Sequence, residues 1–230
     1  MDFHRLKKEY TLFVDAFLRW SVSAGVEVHV PSGATVDVRV NGNGQFEVRS
    51  LFHLANWPFK GASKKVNGNL TVLMQTKEVY EDNFLLMKSN VSVLYFKPSK
   101  KELPARPHTA IHYDYEYQME EAHPIFHAQF GAREIPAAEL AAVNFTRELD
   151  LSTFDPIRSI RIPTVHVGLP AALLAVAADH LNRETYQGFL EFTSKSVFFN
   201  NVAALRLDRC RQKKLHDQDQ WVYRSHNVYM

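Results

Sequence analysis

Much of what usually names a chemistry is missing from this sequence. It has one cysteine, Cys210, so no internal disulfide can form, and a reducing cytoplasm is the natural setting. There is no H-E-x-x-H, no paired C-x-x-C and no P-loop glycine run, so no recognised metal or phosphate-loop spacing is present. No Gly-x-Ser-x-Gly elbow supports a serine hydrolase. The first residues, Met1-Asp2-Phe3-His4-Arg5, have no apolar stretch behind a basic end, and no secretory signal is expected there. No window approaches the roughly 20 apolar residues of a membrane span; the run from Val165 to Ala178 is too short and follows Arg161. A net charge of only +2 excludes a strongly electrostatic binder of the histone type. No internal repeat or low-complexity segment stands out.

What is there begins with an ordinary globular composition, 46% hydrophobic over 230 residues, enough for one sizeable core. Residues 2–20 read as an amphipathic helix, because Phe3, Leu6, Tyr10, Phe13, Val14 and Phe17 recur at three- and four-residue steps. Gly25 ends it. From Val26 to Phe96 the pattern is β, broken by turns. Val26/Val28/Val30 and Val36/Val38/Val40 alternate with polar residues, and Asn41-Gly42-Asn43-Gly44 signals a hairpin. Asn67-Gly68-Asn69 reads as a second turn before a strand at 70–75, and Val91–Phe96 as a further strand. Residues 97–107 form a lysine- and proline-bearing loop. Residues 137–143 are a short helix candidate, and 158–163 a last strand stopped by proline. A helix is expected from Gly168 to about Leu181 and another from Ser194 to about Asp217, with Ser194 and Ser196 as caps. An aromatic tail, 218–230, follows. The whole is expected to be one α+β domain over residues 1–230. Its long curved antiparallel meander carries an N-terminal helix and C-terminal helices packed on it.

Two central segments carry the unusual residues. Alternation puts His112, Asp114 and Glu116 on one strand face and Tyr113, Tyr115 and Tyr117 on the other. In the next segment His123, His127 and Gln129 share a face opposite Phe126 and Phe130. A four-residue connection after Gln118 makes a hairpin. Its register then pairs Asp114 with His127, His112 with Gln129, Tyr115 with Phe126 and Ile111 with Phe130. A carboxylate beside an imidazole supports general-base catalysis by His112, Asp114 and His127. The same three could hold a divalent metal. A His/Asp/Gln surface with Glu116 and His123 could instead bind a polar ligand such as a nucleotide. The competing reading is structural, since sheet faces exposed to water are polar by default.

Other candidates are weaker. Arg161 and His166 precede a helix start and suit an anion. Arg206, Arg209 and Lys213 share a helical face that could touch nucleic-acid phosphates. Cys210 lies in the same basic stretch, and His180 fits a core margin.

The blocks His112–Glu116, His123–Gly131 and Arg161–Pro163, in that order before an apolar helix, resemble uncharacterised bacterial proteins of the DUF2290 type. The resemblance covers the middle third of the chain. It implies a mobile-element or defence-associated context and no specific activity. The expectation is therefore a cytoplasmic binding or accessory subunit with a protein partner, binding a nucleotide or nucleic acid, without membrane attachment. The alternative is a metal-assisted or His/Asp general-base phosphodiesterase or nuclease using the same residues.

Overall fold

A computed structural model describes residues 3–31, 37–60, 67–81, 86–97, 104–116, 126–152, 161–163, 168–181 and 183–195. Twelve elements follow in order: α1 (Phe3–Ser23), β1 (Glu27–His29), β2 (Asp37–Val40), β3 (Phe46–Lys60), β4 (Asn67–Tyr80), β5 (Leu86–Phe96), β6 (Thr109–Glu116), β7 (Phe126–Phe130), α2 (Ala137–Ala142), β8 (Arg161–Pro163), α3 (Gly168–His180) and α4 (Arg183–Lys195). The eight strands form one sheet in the order β1-β3-β4-β5-β6-β7-β8, with β2 also on β3. Every pairing is antiparallel. The fold is the expected α+β meander, with α1 before the sheet and α3 and α4 following β8.

The apolar stripe of α1 is buried as its spacing requires: Leu6, Tyr10, Phe13, Val14 and Phe17 are all buried. The helix runs three residues further than expected and buries Trp20 as well. Gly25, at φ +67°, then closes it. Val26 N–H donates to Ser21 O at 2.8 Å and Gly25 N–H to Val22 O at 3.2 Å, a Schellman termination. The Asn41–Gly44 hairpin also forms. Asn41 Oδ1 accepts from Asn43 and Gln45 N–H, each at 3.0 Å.

Two expectations are corrected. Asn67-Gly68-Asn69 is not a turn, because it pairs with Phe59, Pro58 and Lys60 as the start of β4. The long β3 partner satisfies its backbone, and that outweighs the local turn preference of Asn and Gly. Helix α4, over 183–195, was not expected. It precedes the segment assigned to the last helix, so Ser194 sits at a helix end rather than at a cap. Of the strand expected over 158–163, Arg161–Pro163 is a strand, and 158–160 lie outside the described residues.

The sheet separates two cores. On one face α1, α3 and α4 cover Val48, Phe52, Leu54, Trp57, Val72, Met74, Val91, Val93 and Tyr115. Helix α3 is docked there by its first turn. Leu169 N–H donates to Glu78 Oε1 at 2.8 Å and Gly168 N–H to Ser89 Oγ at 3.1 Å. The carboxylate of Glu78, fully buried, also accepts from the hydroxyls of Tyr10 and Tyr80. It therefore joins α1, β4 and the electropositive end of α3 at one point.

On the other face a smaller core of Leu51, Leu73, Leu94, Phe96 and Ala110 is covered by Ala105, Ile135, Leu140, Val143 and Phe145. Helix α2 ends in a second Schellman motif. Phe145 N–H donates to Leu140 O at 3.0 Å and Asn144 N–H to Ala141 O at 3.1 Å, with Asn144 at φ +56°. Nearby, the carboxyl of Asp150 is held down to about 2 by the Ser152 hydroxyl and N–H and by Arg106. Among the described residues no helix is long and apolar enough to cross a membrane.

Candidate functional site

The register of the central hairpin is the expected one. Asp114 pairs with His127, His112 with Gln129, Tyr115 with Phe126 and Ile111 with Phe130. Tyr115 is buried in the helix-side core and Tyr113 packs against it, so the aromatic face points inward. His112 and Asp114 lie on the opposite face, half-buried.

The two side chains make a compact polar cluster. His112 Nε2 lies 3.3 Å from Asp114 Oδ2. Asn90 Nδ2 donates to Asp114 Oδ1 at 2.6 Å. Arg133 Nη2 reaches both carboxylate oxygens at 2.9 Å. Asp114 is thus approached from three sides, by His112, Asn90 and Arg133, which leaves its carboxylate little room to meet a substrate. The other nitrogen, His112 Nδ1, is buried and has no hydrogen-bond partner among the described residues. It faces Gly131, where a Cβ would come within 3.3 Å of it. A side chain at 131 would oblige the His112 ring to shift by a few tenths of an ångström.

The hairpin is one end of a longer feature. Register pairs carry a polar row across the sheet: Asp37 to Arg49, Arg49 to Lys77, Lys77 to Asn90, Asn90 to Asp114 and Asp114 to His127. A neighbouring row runs Gln75, Ser92, His112, Gln129 and Arg161. Above β3, β4 and β5 these rows floor a cavity of about 480 Å3. Its walls include Pro31, Arg39, Arg133 and the α2 residues Ala138, Glu139 and Ala142. Gln75 Nε2 donates to Glu139 Oε2 at 2.9 Å and pins α2 over it.

Charge in the cavity is uneven. Arg39 is paired with Asp37 at 2.7 Å. Arg49 and Lys77, directly opposite each other, both rely on Glu47, at 2.5 and 3.3 Å. Partial burial tends to raise the Glu47 carboxyl, but Arg49 and Lys77 together hold it below the usual range. Like charges directly opposite on a sheet are destabilising, and one carboxylate cannot neutralise two cations. At the floor, Ser92 is buried to 3% exposure and its Oγ has no hydrogen-bond partner among the described residues. A buried hydroxyl left unpaired costs about 1–3 kcal/mol.

The roof over this face is tied down by a histidine. His53 Nδ1 lies 2.9 Å from Val143 O, the residue closing α2. Burial holds the His53 pKa below its usual value, and the neighbouring His29 acts the same way, against the Val143 hydrogen bond and Glu27. The unfolded chain then binds the proton more readily. The stability His53 contributes is complete above its unfolded pKa near 6.5 and is lost as pH falls through the lower folded value. Urea titrations between pH 7.5 and 5 are expected to show falling stability. In His53→Gln, which keeps an N–H donor but cannot titrate, the slope should be shallower. An unchanged slope would assign the loss to other groups.

The remaining sequence candidates divide simply. Gln129 and Arg161 are cross-strand partners, and Glu116 pairs with Lys88 at the end of β6. His123, His166, Arg206, Arg209, Lys213 and Cys210 lie outside the described residues. His180 packs its ring 5.1 Å from that of Tyr95. Among the described residues no group of three or more His, Cys, Asp or Glu could hold a metal ion. Sequence reasoning missed Arg133, Arg49, Lys77 and Ser92. Their contribution depends on pairing between strands far apart in sequence. The alternation Arg49/Leu51 and Gln75/Lys77 was the available signal.

The fold and site define an α+β protein with an open antiparallel sheet, one face helix-covered and the other bearing a polar cavity. No protein-family model, curated protein or solved structure matches the chain.

Proposed function

We propose that this protein is a binding or accessory subunit whose polar sheet face takes a nucleotide or nucleic acid. The observation that carries the reading is the polar row from Arg49 to His127, which floors a cavity of about 480 Å3 at its β3–β5 end. That volume falls in the range of small-ligand sites. A solvent-facing sheet needs neither a roof over its polar row nor two opposed cations. The single cysteine supports a cytoplasmic setting. The three sequence blocks and their likeness to mobile-element and defence-associated proteins support a bacterial multi-component system with a protein partner.

The enzyme reading has one observation in its favour, the contact between His112 and Asp114. Against it, Asp114 is already engaged by Arg133 and Asn90, and His112 Nδ1 is enclosed against Gly131. This arrangement fits a rigid support better than a proton relay. The purified chain should be assayed for binding and cleavage of labelled single-stranded RNA and DNA and for binding of mononucleotides, with and without Mg2+ or Mn2+. Binding without cleavage is expected. Divalent-dependent cleavage that disappears in a folded Asp114→Ala variant would establish the phosphodiesterase instead.

A further inference from the structure

We infer that the cavity above β3, β4 and β5 is a site for a nucleoside monophosphate whose base carries an amino group, with its phosphate at Arg49 and Lys77. The inference rests on the sheet-face reading and narrows it from nucleotide or nucleic acid to one small molecule.

The phosphate end follows from charge. Arg49 and Lys77 oppose each other across β3 and β4 on the cavity wall, and Glu47 is the one carboxylate bridging both. At this end Arg39, Arg49 and Lys77 meet Asp37 and Glu47, three cations to two carboxylates, which leaves one positive charge in excess. Both side chains are about half exposed, 48% each, so they can turn toward an incoming dianion without being dug out of the core. A guanidinium and an ammonium side by side match a phosphate's several acceptor oxygens.

The other end follows from hydrogen-bond bookkeeping. Asp114 only accepts, so the Asn90 amide nitrogen faces it and the amide oxygen is left over. Glu139 likewise only accepts, so Gln75 turns its nitrogen to Glu139 and keeps its oxygen. Ser92 Oγ, buried on the cavity floor, has no partner among the described residues. The floor and roof beside α2 therefore present amide oxygens, a carboxylate and an unpaired hydroxyl. That set calls for N–H donors. An adenine or cytosine amino group supplies two, whereas the uracil edge offers one N–H flanked by two carbonyl oxygens that would face the amide oxygens and the carboxylate. The cavity of about 480 Å3 is the size of a single nucleotide's site.

The test is calorimetric titration of the full chain with AMP, CMP, UMP, adenosine and inorganic phosphate, beside fluorescence anisotropy with a labelled single-stranded oligonucleotide. AMP or CMP is expected to bind at least about tenfold tighter than UMP or adenosine, the size of one hydrogen-bonded or ionic contact. Lys77→Met and Arg49→Gln should each weaken that binding by about tenfold, and so should Ser92→Val, which fills the floor without a hydroxyl. Thermal unfolding of each variant establishes that it is folded. Equal affinity for UMP overturns the amino-group assignment. Full affinity in folded Lys77→Met and Arg49→Gln overturns the phosphate assignment. Oligonucleotide binding without mononucleotide binding overturns the inference and leaves the sheet-face reading standing. Absence of all binding removes both.

Discussion

Glu78→Leu is expected to lower the midpoint of thermal unfolding by about 6–12 °C, for a loss of about 3 kcal/mol at the few degrees per kcal/mol usual for a chain of this length. The carboxylate is fully buried and serves three donors: Leu169 N–H at the start of α3, and the hydroxyls of Tyr10 on α1 and Tyr80 on β4. With leucine in its place, the two tyrosines can still bond each other, since their oxygens lie 2.6 Å apart. The helix N–H and the tyrosine hydroxyls then lose the carboxylate that accepted from them. Leucine also removes the negative charge that faces the positive end of α3. Glu78→Gln keeps one carbonyl oxygen and should fall between the two. Calorimetric melting of the three proteins checks the order. A shift below about 2 °C for Glu78→Leu would mean that α3 is held by its apolar contacts alone.

Phe17→Ala is expected to cost about 3–5 kcal/mol, the usual range for emptying a buried aromatic position. Phe17 is fully buried at the meeting of three elements. Its ring lies 5.7 Å from Trp20 on α1, 6.0 Å from Phe52 on β3 and 6.4 Å from Phe189 on α4. Trp20 and Phe189 are themselves 4.9 Å apart, edge to face. Because these rings share one space, the double variant Phe17→Ala/Phe189→Ala should lose less than the sum of the single losses. Urea unfolding of the cycle measures this. Strict additivity would show that α4 does not pack on α1 in solution.

The legibility of the chain differed by element for reasons these two sites illustrate. The α1 stripe and the Asn41–Gly44 hairpin could be read because helix periodicity and positive-φ turns are local. The hairpin register at Asp114 and His127 could be read because a short connection and two-residue alternation leave few alternatives. Helix α4 was missed. Its apolar residues, such as Phe189 and Phe192, are few, and their meaning comes from Phe17 and Trp20 far upstream. The turn expected at Asn67-Gly68-Asn69 failed for a related reason: β3 was already there to pair with it.

The site divides in the same way. The sequence by itself determined the polar face of the central hairpin, with His112, Asp114 and Gln129 turned away from Tyr113 and Tyr115, because side-chain direction along a strand alternates. Only the tertiary structure decided that Asp114 is held by Arg133 and Asn90, that Arg49 meets Lys77, and that α2 roofs Ser92. Those contacts join residues from separate strands and loops. Their energies arise from burial and from cross-strand neighbours, neither of which exists until the sheet has closed over its two cores.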